Sequence, residues 1–214
     1  AGCLMGRDRV AALADKYGPT VYLQCIDRIM NDSEQAARAR IRDLPDGVYE
    51  AESFLDNDGK GKEPVQIKIK AIVQGDQITV DYSDVADQTP GPINSGFFGG
   101  GQTAARVAFK YLIASGEMAN EGTYRPLKLI LPEGTLLSAS PTAAMALYPM
   151  PFPTVIDVII KALDGVLPER VTGAHFGSYS SLRLLGRRDN GALWSCNDSG
   201  HGGWGACSDH DGAG

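Results

Sequence analysis

D-Y-S-D-V-A-D-Q-T-P-G-P-I-N-S-G-F-F-G-G-G-Q-T-A-A-R-V-A-F-K-Y-L-I-A-S, residues 81–115, holds the sharpest change of pattern in the chain. An alternating strand ends at Tyr82, a Pro90-Gly91-Pro92 corner follows, and Gly99, Gly100 and Gly101 open into a helix-like run through Ile113. Glycines ahead of a helix let backbone approach backbone closely, and the first helical N–H groups lack internal partners and attract anions. G-G-G-Q-T lacks the lysine and the spacing of G-x-x-x-x-G-K-[ST]. Tight packing of a helix on a sheet is therefore expected here, ahead of a phosphate cradle.

Upstream of the junction the hydrophobic period is two. Strands are predicted at 47–55, 65–73 and 77–82; in the middle one Val65, Ile67 and Ile69 alternate with Gln66, Lys68 and Lys70, giving one buried and one wet face. Gln74-Gly75-Asp76 allows only a hairpin between the last two, so antiparallel order is expected. The Asp56-Asn57-Asp58-Gly59-Lys60-Gly61 link looks faintly like a calcium loop, but that pattern would put Phe54 at the first ligand position. It reads as a plain hairpin loop. Before the strands, a helix is predicted over 4–17, stopped by Gly18-Pro19, and a second follows to about residue 42, with Asn31-Asp32-Ser33 as the point where it would divide. The basic trio Arg38, Arg40 and Arg42 reads as a solvated helix face.

Downstream, a short strand is predicted at 127–131, and Ser140-Pro141-Thr142 offers a serine cap with proline in the first turn of a helix to about 147. Pro149, Pro151 and Pro153 hold the chain extended before Thr154 caps a helix that is apolar nearly all round, to be buried in this chain or against a partner. After Leu167-Pro168 glycine and serine dominate, with strands predicted at 181–185 and 192–196. The expected fold is α+β: an antiparallel three-stranded meander with flanking helices and a glycine-rich C-terminal segment. The boundaries fall at 1–44, 45–170 and 171–214.

The 214 residues suffice for a real core, and the net charge of −6 with scattered Lys and Arg argues against a nucleic-acid partner. No apolar run approaches the roughly 18 residues of a membrane span. With no leader pattern at the start and four cysteines lacking a C-x-x-C pair, a soluble, cytoplasmic chain with reduced thiols is expected.

No G-x-S-x-G, H-E-x-x-H or C-x-x-C motif is present. His175 reads as a hydrogen-bonded structural histidine. Arg125, just before Pro126, is a fixed cation suited to a carboxylate or carbonyl oxygen, or to an ion pair within the fold. The terminal stretch carries His201, Cys207, Asp209, His210 and Asp211, yet a glycine-rich segment has nothing to fix ligands about 2 Å from one point. No metal site is expected there, with His201, Asp209 and His210 as the weaker alternative.

Taken in order, R-x-x-I-x-x-L-P-D-G-V-Y-E-A at 38–51, Val80-Asp81-Tyr82-Ser83, Gln88, Gly91, Ile93-Asn94, Arg125-Pro126, Pro132-Glu133-Gly134-Thr135, Ser140-Pro141-Thr142-Ala143-Ala144 and Gly202-Gly203-Trp204-Gly205-Ala206 form a recognisable set. Together they resemble the hydantoinase B/oxoprolinase family. The resemblance implies a central fragment of a longer large subunit, inactive alone. It would serve an ATP-dependent complex that opens cyclic amides such as hydantoins, oxoproline or lactams, and relatives carboxylate ketones such as acetone or acetophenone. It further implies a hetero-oligomer with a hydantoinase A-type ATPase subunit, in which a carbonyl or enol oxygen is phosphorylated and then attacked. No cofactor is implied on this chain, while ATP and a divalent metal are implied for the complex; the family's metal motifs precede the matched region, so no ligand carries over. Asp81, Asn94, Arg125 and Glu133 are the catalytic candidates, because they stand at strand ends and corners. A non-catalytic module that docks a partner through the apolar helix at 155–163 is the reading from another class.

Overall fold

The computed structural model describes residues 1–116, 118–176, 181–200 and 202–212. Helices α1 (Gly2–Tyr17) and α2 (Pro19–Arg42) lead into strands β1 (Gly47–Leu55), β2 (Val65–Gln74) and β3 (Gln77–Asp81). Helix α3 (Thr103–Ala114), strand β4 (Leu127–Ile130), helix α4 (Phe152–Ala162) and the hairpin β5 (Ser181–Arg187) and β6 (Leu193–Ser199) follow. The three predicted strands stand where expected, and both hairpin pairings are antiparallel. The predicted meander is nevertheless incomplete. β4 joins the free edge of β3 in parallel, Ile78 opposite Leu127 and Asp81 opposite Ile130, to give a mixed sheet in the order β1-β2-β3-β4. Parallel neighbours need a long crossover, usually helical, and residues 82–126 with α3 supply it. Nothing in a four-residue strand, Leu-Lys-Leu-Ile, says which edge it will join.

One face of the sheet carries the core. Val65, Ile67, Ile69, Ala71 and Val73 of β2 and Ile78 and Val80 of β3 are buried, while Gln66, Lys68 and Lys70 face outward. Ala105, Phe109, Leu112 and Ile113 of α3 meet Ile159 and Leu163 over Ile78 and Val80, and α4 lies across β1 and β2. Burying each such side chain fully is worth about 1.5–3 kcal/mol. The apolar girth of α4 is thus covered by its own sheet, which removes that helix as a docking surface. It begins at Phe152, ahead of the expected Thr154 cap, because Pro151 and Pro153 fall where helical N–H groups have no partner anyway.

The helix predicted to run to residue 147 does not form. Its backbone donors are taken from outside: Ser140 N–H donates to Gln88 Oε1 at 2.8 Å and Leu147 N–H to Pro92 O at 2.8 Å. Conversely, α2 is one continuous helix through the Asn31-Asp32-Ser33 site. Asn31 Oδ1 accepts from Arg125 at 2.8 Å and Ser33 Oγ accepts from Asn120 at 2.7 Å, so these side chains find distant partners and do not compete for local backbone. Arg38, expected in solvent, is only 17% exposed at its side chain; it bonds Glu34 Oε1 at 2.8 Å and Asp76 Oδ1 at 2.7 Å, with Arg42 also on Asp76. The trio's outer members therefore pin α2 to the β2–β3 turn.

The glycine cluster packs backbone on backbone, as expected. A single wide turn, Phe98–Gln102, precedes α3, and a Cβ on Gly100 would stand 2.3 Å from Ser95 Oγ and 2.6 Å from Leu137 O. Tyr82, fully buried, donates its hydroxyl to Gly101 O at 2.8 Å, and burial pushes its phenol above the ordinary range. Replacing Tyr82 by Phe is expected to cost about 1–2 kcal/mol, because the ring still packs and only the bond is lost. Urea unfolding should show a lower midpoint with an unchanged slope. Among the described residues, no helix is long and apolar enough to cross a membrane.

Candidate functional site

The corner at residues 89–94 is held by two buried polar side chains. Asp58, in the β1–β2 loop, accepts Lys60 N–H at 2.9 Å and Gly61 N–H at 2.6 Å on Oδ1, and Gly91 N–H at 2.8 Å on Oδ2. These bonds, Gly61's foremost, hold its carboxyl below the usual carboxylate range. The loop is a hairpin loop whose acid caps backbone. Asn94, with no exposed surface, accepts Thr89 N–H at 2.7 Å and donates to Thr89 O, Gly91 O and Ala144 O at 2.8, 2.9 and 3.0 Å.

The other three candidates from the sequence lie elsewhere. Arg125 donates to Asn31 Oδ1 and Glu34 Oε2 on α2, at 2.8 and 2.9 Å, and draws the Glu34 carboxyl below its ordinary range together with Arg38. Asp81 closes β3 and accepts Ser83 N–H at 2.8 Å; Glu133 is exposed in the turn after β4. Asn94 and Arg125 are engaged with their own chain. None of the four lines the cavity beside α4.

That cavity has a volume of about 600 Å³ and opens between the end of β1, one face of α4 and residues 171–176. Ser53 and Asp56 come from the strand side, Thr154, Asp157 and Lys161 from successive turns of α4, and Thr172, His175 and Phe176 from the segment opposite. His175 Nδ1 lies 2.5 Å from Asp157 Oδ2, which also accepts the His175 backbone N–H at 3.2 Å. A carboxylate only accepts, so Nδ1 carries a proton in this contact. The imidazole is 5% exposed, and Nε2 is buried with no hydrogen-bond partner among the described residues. Such an atom is costly to leave unmatched.

Residues 173–175 are held by the terminal segment. Gly173 N–H donates to Ala206 O at 2.9 Å, Gly205 N–H to Ala174 O at 2.6 Å, and His175 bridges Trp204. The approach needs glycine: a Cβ on Gly205 would stand 2.4 Å from the Gly173 carbonyl carbon. Ala174 takes φ 71°, a conformation uncommon without glycine and often found where side chains are aimed for function. The Gly-Gly-Trp-Gly-Ala run, expected as loose chain, thus sets the histidine. No local motif announces the pair, since its members stand 18 residues apart. The available signal is Asp157 and Lys161, charged on one side of an otherwise apolar buried helix.

Among the described residues, no group of three or more His, Cys, Asp or Glu side chains is arranged to hold a metal ion. Asp209 and His210 are exposed and bonded to each other, Oδ1 to Nδ1 at 2.6 Å, and His201 lies outside the described residues.

A protein of Pseudomonas sp. (strain NS671) named as the B-type subunit of a D-/L-hydantoinase is 30% identical over 223 residues, 99% of this chain and 37% of that protein. The beta chain of caprolactamase from Pseudomonas jessenii is 30% identical over 86% of this chain and 32% of its own. The crystal structure of the ATP-dependent caprolactamase from P. jessenii superimposes with a TM-score of 0.77 at 26% identity, over 90% of this chain and 33% of that one. A nucleotide-free structure of acetone carboxylase shares the fold, TM-score 0.81 at 16% identity, over 99% of this chain and 30% of its own. The chain spans about a third of the length of these relatives. The profile of the hydantoinase B/oxoprolinase family matches residues 1–214, and the chain belongs to that family.

Proposed function

We propose that this chain forms a central part of the large subunit of an ATP-dependent complex that opens cyclic amides. The observation that carries the reading is the family match over all 214 residues, with relatives named as hydantoinase and caprolactamase subunits each 30% identical. In this reading an ATPase subunit supplies the nucleotide, the ring carbonyl oxygen is phosphorylated, and the activated carbon is then attacked. The exposed apolar side chains support a subunit role: Leu4, Leu13, Leu23 and Ile29 on α1 and α2, and Leu185 and Leu193 on the β5–β6 hairpin. α1 buries none of its residues. The four unpaired cysteines suit a reducing cytoplasm. In this reading Asp81 and Glu133 belong to a chamber wall, and Asn94 and Arg125 serve by holding that wall in shape.

The test is the full-length subunit produced with its ATPase partner and assayed for ADP release. Release that depends on hydantoin, oxoproline or caprolactam is the expected result. Release that depends on acetone and bicarbonate, with none on the amides, would overturn it in favour of a ketone carboxylase, whose fold this chain shares.

A further inference from the structure

We propose that the free edge of β1 is a docking site for an extended segment of another polypeptide, one that alternates basic with apolar residues and joins the four-stranded sheet beside β1. The inference does not depend on the reaction proposed above.

The edge is long and open. β1 stands at the end of the sheet, nine residues paired one to one with β2 from Gly47 opposite Val73 to Leu55 opposite Val65, without proline or bulge. Two bonds show which of its backbone groups face outward. Gln66 O turns away from β1 to accept Ala86 N–H at 3.1 Å, so Phe54, its partner in the ladder, turns away from β2. Glu52 O accepts Lys161 Nζ at 3.3 Å. By the two-residue period, Val48, Glu50, Glu52 and Phe54 all aim N–H and C=O at the free edge. Among the described residues, Lys161 is the one group bonded to that row.

Charge selects the kind of strand. On the outer face the row through Glu50 runs Glu50, Lys70, Asp81 across β1, β2 and β3 with alternating sign, and Glu52 stands opposite Lys68. A strand added outside β1 meets the two glutamates, so basic residues there are favoured and acidic ones opposed. A second copy is disfavoured for the same reason, since β1 paired antiparallel with itself in the registers of greatest overlap sets glutamate against glutamate. The inner face asks for apolar residues. Burial is complete along β2 from Val65 to Val73 and falls off at β1, where Tyr49, Ala51 and Leu55 are only partly covered, so apolar side chains on the added strand continue the core.

The experiment is amide hydrogen exchange by NMR on the full ¹⁵N-labelled chain, with a blocked heptapeptide alternating valine and lysine and, separately, its valine–glutamate counterpart. The expected result with the lysine peptide is exchange slowed at least tenfold at Val48, Glu50, Glu52 and Phe54 and unchanged at the residues between them, whose N–H groups already serve β2. The glutamate peptide should bind at least tenfold more weakly, and Glu50→Lys combined with Glu52→Lys should reverse the preference. Should that variant fail to fold, the two peptides on the unaltered chain decide. Unchanged exchange at millimolar lysine peptide, or equal binding of both peptides, overturns the proposal. So does a dimer in sedimentation whose four edge amides are already protected, which assigns the edge to a second copy. Protection of the same amides in the full-length subunit alone also overturns it, in favour of cover by the subunit's own chain.

Discussion

Alanine at Gly91 is expected to lower the stability of the fold by about 3 kcal/mol, the upper part of the range for forcing atoms into a filled interior. A Cβ there would stand 1.8 Å from the Asp58 carbonyl oxygen and 2.7 Å from its Cγ. The first obstacle is main chain and cannot swing aside. To make room, the corner must draw away from the β1–β2 loop, breaking the Gly91 N–H bond to Asp58 Oδ2 and disturbing the Asn94 bond to Gly91 O. Gly96→Ala is the control: its added Cβ meets nothing within 4 Å, so a change within about 0.5 kcal/mol is expected. Equal unfolding midpoints for the two variants would show that the corner does not press on the loop.

Asn94→Ala is the second large effect, about 3 kcal/mol. The amide answers one backbone N–H and three carbonyls, and its removal leaves Thr89, Gly91 and Ala144 with buried groups unmatched, each costing about 1–3 kcal/mol before the surroundings relax. Asn94→Asp should be no gentler. It keeps an acceptor for Thr89 N–H but turns a carboxylate oxygen toward carbonyls that need a donor. In the proposed complex, activity should fall in proportion to the folded fraction and remain normal per folded molecule. A loss per folded molecule larger than tenfold would place Asn94 at the chemistry after all.

These effects meet at a corner that is partly legible in the sequence. Pro90-Gly91-Pro92 announces a turn by itself, since proline fixes φ and glycine leaves space. Asp58 is legible only as a loop residue, because its third bond reaches across 33 positions. Asn94 stands out as a polar residue at a corner, and the sequence cannot tell a residue that faces a ligand from one that ties backbone together. The Asp157–His175 pair is invisible for the same reason: both residues are in view, and the approach of residues 173–175 to 204–206 that sets the ring is a contact between segments.

From its sequence alone this chain determines the strands at 47–55, 65–74 and 77–81, the two hairpin pairings and the buried helix after Pro151, because these depend on side-chain period and on turns a few residues long. Tertiary structure alone decided the rest. It placed β4 beside β3, kept α2 whole, withheld a helix from residues 141–147 and brought an imidazole to a carboxylate beside a cavity. Each of those outcomes turns on which distant group satisfies a backbone or side-chain hydrogen bond. Burial makes that choice, and no local pattern encodes it.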